Sequence, residues 1–295
     1  MAPKKQIDKR ESLRVVTSND LIDTRDLARL SLNARKLFYV AVAQCRMTDK
    51  EFYEFETTPR ELAEMWGITR QEVYQVADKI TTELMKIVIT LRSGERAFRK
   101  RHLFEKCDYD DKAKLTFKLH NEMTEMLLGL KKNFSKPSLY PFMRMKSPYS
   151  MAIWHLFQKE MRTEVPYANQ TVEFDLTLDE LRAVTGTEKK LKQVGQFKER
   201  VLDKAIREIR DNCMAAVEYT NVKQGRKVVG FRFVIKSLWY RNPETMTLRE
   251  RQQWRKTELI GKKINGKITP DELGELDKLI LELDQLTLED YAKGF

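Results

Sequence analysis

TTPRELAEMWGITRQEVYQVADKITTELMK, residues 57–86, punctuates itself as two helices. Thr57 or Thr58 stands at an N-cap, Pro59 follows at the first helical position, and Glu61 lies three after Thr58 in the register of a capping box, which satisfies two orphan backbone donors reciprocally. Leu62, Ala63, Met65 and Trp66 supply the inward face, and Gly67 offers the left-handed residue that ends a helix. Thr69 and Glu72 repeat the capping box, and Val73, Val76, Ala77, Ile80 and Leu84 then line one side at helical spacing. Two helices joined by a short Gly-containing turn make a helix-turn-helix. The period then changes. KIVITLR (86–92), a turn at Ser93 and Gly94, RAFRKRHLFEKC (96–107), a DYDD turn and KAKLTFKL (112–119) read as strands. A helix-turn-helix followed by a β-hairpin is the outline of a winged helix.

Working outward, SLNARKLFYVAVAQCR (31–46) reads as a helix capped by Ser31 or Asn33, and FYEFET (52–57) as a short strand. NEMTEMLLGLK (121–131) reads as one more short helix. The order then recurs. SPYSMAIWHLFQKEMR (147–162) is a helix, QTVEFDL (170–176) a strand, and TLDELRAVTG (177–186) a helix with a Thr177–Glu180 capping box. QFKERVLDKAIREIRDN (196–212) is a long helix, and residues 213–237 are two strands around a KQGR turn. This internal duplication predicts an α+β chain of two tandem winged-helix domains of similar topology. The boundaries expected are a flexible N-terminal arm over 1–20, a first domain over 21–132 and a linker over 133–146, marked by Pro137 and Pro141. A second domain over 147–240 follows, then a C-terminal extension over 241–295, first basic and then acidic with periodic leucines.

The 295 residues are 41% hydrophobic, enough for two cores, and 55 Lys and Arg against 44 Asp and Glu leave a net charge of +11. The excess is uneven: about +1 over 1–90, +3 over 91–180, +13 over 181–270 and −6 over 271–295. A positive run of that size calls for a polyanion, and nucleic acid is the first expectation. A membrane partner is not expected, because no apolar stretch reaches the length of a span and MAPKKQIDKR leads into no apolar region. Cys45, Cys107 and Cys213 are too far apart for a disulfide framework, and His102, His120 and His155 lack metal-ligand spacing. No metal and no cofactor are expected, and a reducing, cytoplasmic compartment is. The loops and elbows of NTPases, hydrolases and zinc proteases are absent, so the chain is expected not to be an enzyme and no catalytic residues are assigned.

Double-stranded DNA is the partner expected, read from the start of the second helix in each helix-turn-helix. In the second domain, Lys192, Gln193 and Gln196 stand at or before the start of the long helix, and Lys198, Arg200, Lys204 and Arg207 lie on its polar side. Arg and Lys suit guanine edges and phosphates, and Gln suits adenine. The KQGRK turn brings Lys223, Arg226 and Lys227 to a wing tip suited to phosphates or the minor groove. In the first domain, Arg70, Gln71 and Tyr74 offer a second contact, and Arg99 and Arg101 belong to a basic hairpin that also carries Arg92, Arg96 and Lys100.

LSLNARKLFYVAVA (30–43), SPYSMAIWHLFQK (147–159) and above all FKERVLDKAIREI (197–209) with GRKVVGFRF (225–233) resemble the iteron-binding replication initiator (Rep) family of theta-replicating plasmids. The resemblance spans roughly residues 15–237. It implies that 197–209 is the principal DNA-recognition helix and so implicates Lys198, Arg200, Lys204 and Arg207, with Glu199 interrupting a run that is often all arginine in the family. It further implies a bacterial, plasmid-encoded protein whose monomers bind origin direct repeats, loosen adjacent AT-rich DNA and recruit the host initiator and replicative helicase. Homodimers formed largely through the first domain would bind an inverted repeat and repress the protein's own gene. The alternative is a winged-helix transcriptional regulator without initiator activity. Residues beyond 240 lie outside the resemblance.

Overall fold

The computed structural model describes residues 5–8, 13–46, 49–92, 96–110, 112–161, 171–213, 215–237, 252, 255, 256, 259, 262 and 268–292. Residues 1–237 form one compact unit and 238–295 a second.

The first half of the larger unit runs β1 (Lys5–Gln6), β2 (Thr17–Ser18), α1 (Asn19–Ile22), α2 (Leu32–Ala43), β3 (Phe55–Thr57), α3 (Pro59–Trp66) and α4 (Arg70–Lys86). It continues through β4 (Val88–Arg92), β5 (Phe98–His102), β6 (Phe104–Tyr109), β7 (Leu115–Leu119), α5 (Thr124–Leu127), β8 (Phe134–Ser135) and α6 (Leu139–Arg144). The second half is α7 (Pro148–Met161), β9 (Thr171–Thr177), α8 (Leu178–Thr185), a continuous helix α9 (194–213), β10 (Ala215–Gln224) and β11 (Lys227–Ser237). All three capping boxes are formed, at Thr58–Glu61, Thr69–Glu72 and Thr177–Glu180. Gly67 ends α3 in left-handed backbone, as the sequence predicts, and Gly186, expected as the last helical residue, ends α8 in the same way. The two winged-helix outlines are therefore real, and the fold is α+β. In the second half, β11 lies between β10 and β9, and Phe157 of α7 closes an aromatic cluster with Phe174 and Phe233 on that sheet.

The structure departs from expectation where neighbouring residues must both be buried. RAFRKRHLFEKC is not one strand. Leu103 and Phe104 are both in the core, side chains on a strand alternate faces, and the chain bends there into β5 and β6. β5 pairs with β4 as a separate ribbon, whereas β6 joins the sheet β1-β3-β7-β6. The helix expected over 121–131 is a single 3-10 turn followed by the four residues of α5.

The segment 133–146, expected as a linker, is core. Leu139, Phe142, Met143 and Met145 are buried, and β8 pairs with β2. The described part of the N-terminal arm is likewise fixed. Val15 is buried, the Val15 amide donates to the Pro137 carbonyl, and the Leu139 amide donates to the Leu13 carbonyl. Pro137 and Pro141 thus frame the entry to α6 instead of a tether. The apolar content of 139–145 decides the matter, because those side chains gain more by burial than by exposure.

α2 is buried from Ala34 to Ala43, the mark of a helix enclosed on all sides. α7 is its neighbour across the two halves. Tyr39 of α2 meets His155 of α7 edge-on at 5.3 Å, and the Tyr39 hydroxyl shares a 2.8 Å hydrogen bond with His155 Nδ1. His155 Nε2 lies 3.0 Å from Thr17 Oγ1 and 3.2 Å from Ser135 Oγ. One buried imidazole therefore ties together α2, β2, β8 and α7. Burial, assisted by the nearby Arg35 guanidinium, lowers the His155 pKa to about 3, so the ring is neutral in the fold. The unfolded chain takes up that proton below about pH 6.5 and the folded chain does not. The stability His155 lends is therefore complete above that pH and lost as pH falls, by about 1.4 kcal/mol per unit. We expect denaturation midpoints measured between pH 7 and 4 to fall less steeply for His155→Gln than for the unsubstituted chain; equal slopes would place the acid sensitivity elsewhere.

Candidate nucleic-acid interface

The second helix-turn-helix is α8, a connector over 186–193, and α9. Arg182 organises it. Its side chain is buried, and its guanidinium donates to the carbonyls of Thr187, Lys190, Leu191 and Lys192 at 2.9 to 3.1 Å while lying 5.1 Å from the Phe197 ring. A planar fork with five donors can satisfy four loop carbonyls at once, whereas an ammonium cannot. The Lys190 amide donates to the Thr187 carbonyl within the connector, the Thr185 and Thr187 hydroxyls share a 3.0 Å hydrogen bond, Arg25 pairs with Glu188, and Leu191 is kept at a positive φ of 50°. Lys189, Lys190 and Lys192 are exposed on the loop so fixed, as are Gln193 and Gln196 at the start of α9.

α9 contains a π-helical turn over Lys198–Leu202. Its buried residues include Phe197, Val201, Ala205, Ile209 and Cys213, each four after the last. At 3.6 residues per turn, steps of four drift by about 40° each and would carry the apolar stripe round the helix. A wider turn near the start absorbs part of that drift and keeps the stripe on the core. On the other side Arg200, Lys204, Arg207 and Arg210 are exposed. Lys198 is half-buried, its ammonium 5.2 Å over the Tyr219 ring, and the Tyr219 hydroxyl donates to Asp203 at 2.7 Å. Glu208 faces inward to the joint between the halves, where its carboxylate accepts from the Lys146 and Ser147 amides at the start of α7. The same carboxylate favours the charged form of Lys36 on α2, whose burial nonetheless pushes its pKa down to about 8. Lys223, Arg226 and Lys227 are exposed around Gly225 at the tip of the β10–β11 wing.

In the first half, Arg70, Gln71 and Tyr74 are exposed on the first turns of α4. Arg70 donates to the Tyr74 hydroxyl at 2.8 Å, and the Tyr74 ring stands edge-on to Tyr109, 6.1 Å away. Arg99 and Arg101 are placed differently from the rest. Their side chains reach Glu125 and Glu122, at 3.1 and 3.6 Å, on the protein side of the β4–β5 ribbon. Arg92 and Lys100 take the outward side. Sequence reasoning passed over Arg182; the signal available was a lone arginine on the otherwise apolar side of a short helix.

In the C-terminal unit, Thr269 caps the helix Pro270–Ala292, Glu275 takes both ends of the Arg255 guanidinium at 2.8 Å, and Lys262 pairs with Glu272. Leu259, Leu276 and Leu279 form its small core. Residues 238–295 contain ten Lys and Arg against eleven Asp and Glu, so the basic stretch is neutralised within its own unit. Residues 1–237 contain 45 against 33 and hold the chain's positive excess. Among the described residues no group of His, Cys, Asp and Glu is arranged to hold a metal ion, and no helix is long and apolar enough to cross a membrane.

Arg182→Met keeps the stem packed on Phe197 but removes the guanidinium from four carbonyls, of which that of Thr187 keeps the Lys190 amide. It should lower stability by at least about 3 kcal/mol in chemical denaturation, and Arg182→Lys should recover only part of the loss. A change within about 0.5 kcal/mol would show that the connector holds itself.

No curated protein matches the chain in sequence. Among solved structures, the Pi initiator protein in complex with iteron DNA superposes with a TM-score of 0.64 at 22% identity, over 78% of this chain and 99% of that one. A structure of domains 2 and 3 of RctB aligns at a TM-score of 0.37 and 10% identity, over 75% of this chain and 82% of that one, too remote to bear on the argument. Residues 14–158 match the family described as Initiator Replication protein, WH1, and residues 177–235 match Initiator Rep protein, WH2. Those two matches cover well over half of the 295 residues, in the order in which the two winged helices occur, and the chain belongs to the replication initiator (Rep) family.

Proposed function

We propose that this initiator binds double-stranded DNA at direct repeats of a replication origin, loosens the adjacent duplex and recruits host replication proteins. As a homodimer it represses its own gene. Binding energy drives these steps, without covalent chemistry or a cofactor, in the cytoplasm of a bacterium that carries the replicon on a plasmid. The observation that supports this reading most is the outward side of α9. Arg200, Lys204 and Arg207 stand exposed one helical turn apart, on a helix whose start is fixed by Arg182 and whose flank is a wing tipped by Lys223, Arg226 and Lys227. A helix presented this way fits the major groove, and a cationic hairpin tip fits the neighbouring backbone.

In this reading Gln193, Gln196, Arg200 and Lys204 contact bases, while Lys192, Arg207 and the wing cations contact phosphates. Lys198, held over Tyr219, sits at the edge of the contact. Arg70, Gln71 and Tyr74 make a second contact from the first domain. Arg99 and Arg101 contribute less than their outward neighbours, because glutamates already engage them.

Footprinting on the DNA flanking the protein's own gene tests the reading, with maintenance of an origin-dependent plasmid separating an initiator from a repressor. Protection of a direct-repeat array and dependence of the plasmid on the chain are expected; repression without maintenance would leave only a regulator. In titrations against the protected repeat, Arg200→Ala and Lys204→Ala should each cost about 1–3 kcal/mol and spare random DNA. Lys227→Ala should weaken both alike and reduce the salt slope by about one. Uniform loss from all three substitutions would remove α9 from base reading.

A further inference from the structure

The outward face of the β4–β5 ribbon carries, besides its cations, an aromatic side chain that the proposed contacts leave unused. Its register sets Val88, Thr90 and Arg92 opposite His102, Lys100 and Phe98, and directly opposed residues share a face. Ile89, Leu91, Arg99 and Arg101 occupy the other face, where the two apolar side chains are buried and the two arginines reach Glu125 and Glu122. On the outward face Phe98 is 55% exposed, more than any other exposed large hydrophobic among the described residues. The Lys100 ammonium lies 5.6 Å from the centre of its ring. Neither strand, VITLR or FRKRH, contains a carboxylate. Among the described residues Arg92, Arg96 and Lys100 have no ion-pair partner.

An apolar ring set between unpaired cations needs a partner that is anionic at its edges and apolar at its centre. A second copy of this face would oppose Arg92 and Lys100 to like charges, which disfavours self-association through it. Duplex DNA meets both requirements: phosphates line the groove, and the faces of the bases are apolar. We propose that this face lies in the minor groove of double-stranded DNA, with Phe98 wedged against a base step and Arg92 and Lys100 on the flanking phosphates. Apolar wedges of this kind unstack a step and kink the duplex, and the larger protein surface that the bent DNA then wraps offsets the cost. The inference rests on the DNA-binding reading above and divides the labour between the domains. The second winged helix chooses the sequence, and the ribbon of the first distorts the duplex.

The test uses the full chain on its protected repeat, with 2-aminopurine placed at successive steps, and compares Phe98→Ala and Phe98→Leu. Phe98 is exposed, so neither variant should impair folding, which circular dichroism checks. The unsubstituted chain should raise the fluorescence several-fold at one step and slow the bent complex in gel mobility. Phe98→Ala should abolish both effects and leave protection over the α9 contact intact, and Phe98→Leu should retain most of each. Intact protection with no fluorescence rise, or a rise that Phe98→Ala leaves unchanged, would overturn the wedge alone. Loss of a dimer in sedimentation by Phe98→Ala, with fluorescence unaltered, would reassign the face to self-association. Absence of a footprint on any DNA would overturn the DNA-binding reading itself, and the wedge with it.

Discussion

The buried joint at His155 makes one body out of two winged helices. A neutral imidazole is held between Tyr39 on one side and Thr17 and Ser135 on the other, and each partner comes from a different element. Such a group is costly to bury without partners and specific once it has them. Around it, Phe142 packs tilted against Tyr39 and edge-on to His155, so the connecting segment becomes part of the packing. Glu208 extends the same joint to α9, since its carboxylate caps the start of α7 and faces Lys36 of α2. The helix proposed to read DNA is thereby braced against the first domain as well as its own.

Much of this was legible in the sequence because caps are local. Thr58, Thr69 and Thr177, each three residues before a glutamate, fix helix starts without tertiary help. The cations of α9 were legible too, since an amphipathic helix separates its sides by spacing alone. The facing of Arg99 and Arg101 was not, because it depends on the register of β5 against β4, which a strand does not encode by itself. Pro137 and Pro141 read as a linker because proline breaks regular structure, yet here Pro137 precedes, and Pro141 sits in the first turn of, a short helix whose Leu139, Phe142 and Met143 are core. The π turn was visible only as an unbroken spacing of four from Phe197 to Cys213.

Charge, resolved onto the fold, separates the two units. Among the described residues beyond 240, Arg255 pairs with Glu275 and Lys262 with Glu272 of the acidic helix in the same unit, whose charges nearly cancel. The positive field that would steer the chain to DNA therefore comes from residues 1–237. Within them it has two outlets of different character: a helix with a wing in the second half, and a ribbon carrying an exposed aromatic in the first.

The central claim is that two winged helices, held as one body, engage DNA together. Affinity of the full chain for its protected repeat, with five base pairs inserted between the segments covered by the two domains, tests it most directly. Half a helical turn rotates one segment away from its domain. A rigid joint predicts that protection of one segment is lost and affinity falls by at least tenfold. Undiminished affinity with both segments still protected would contradict the account.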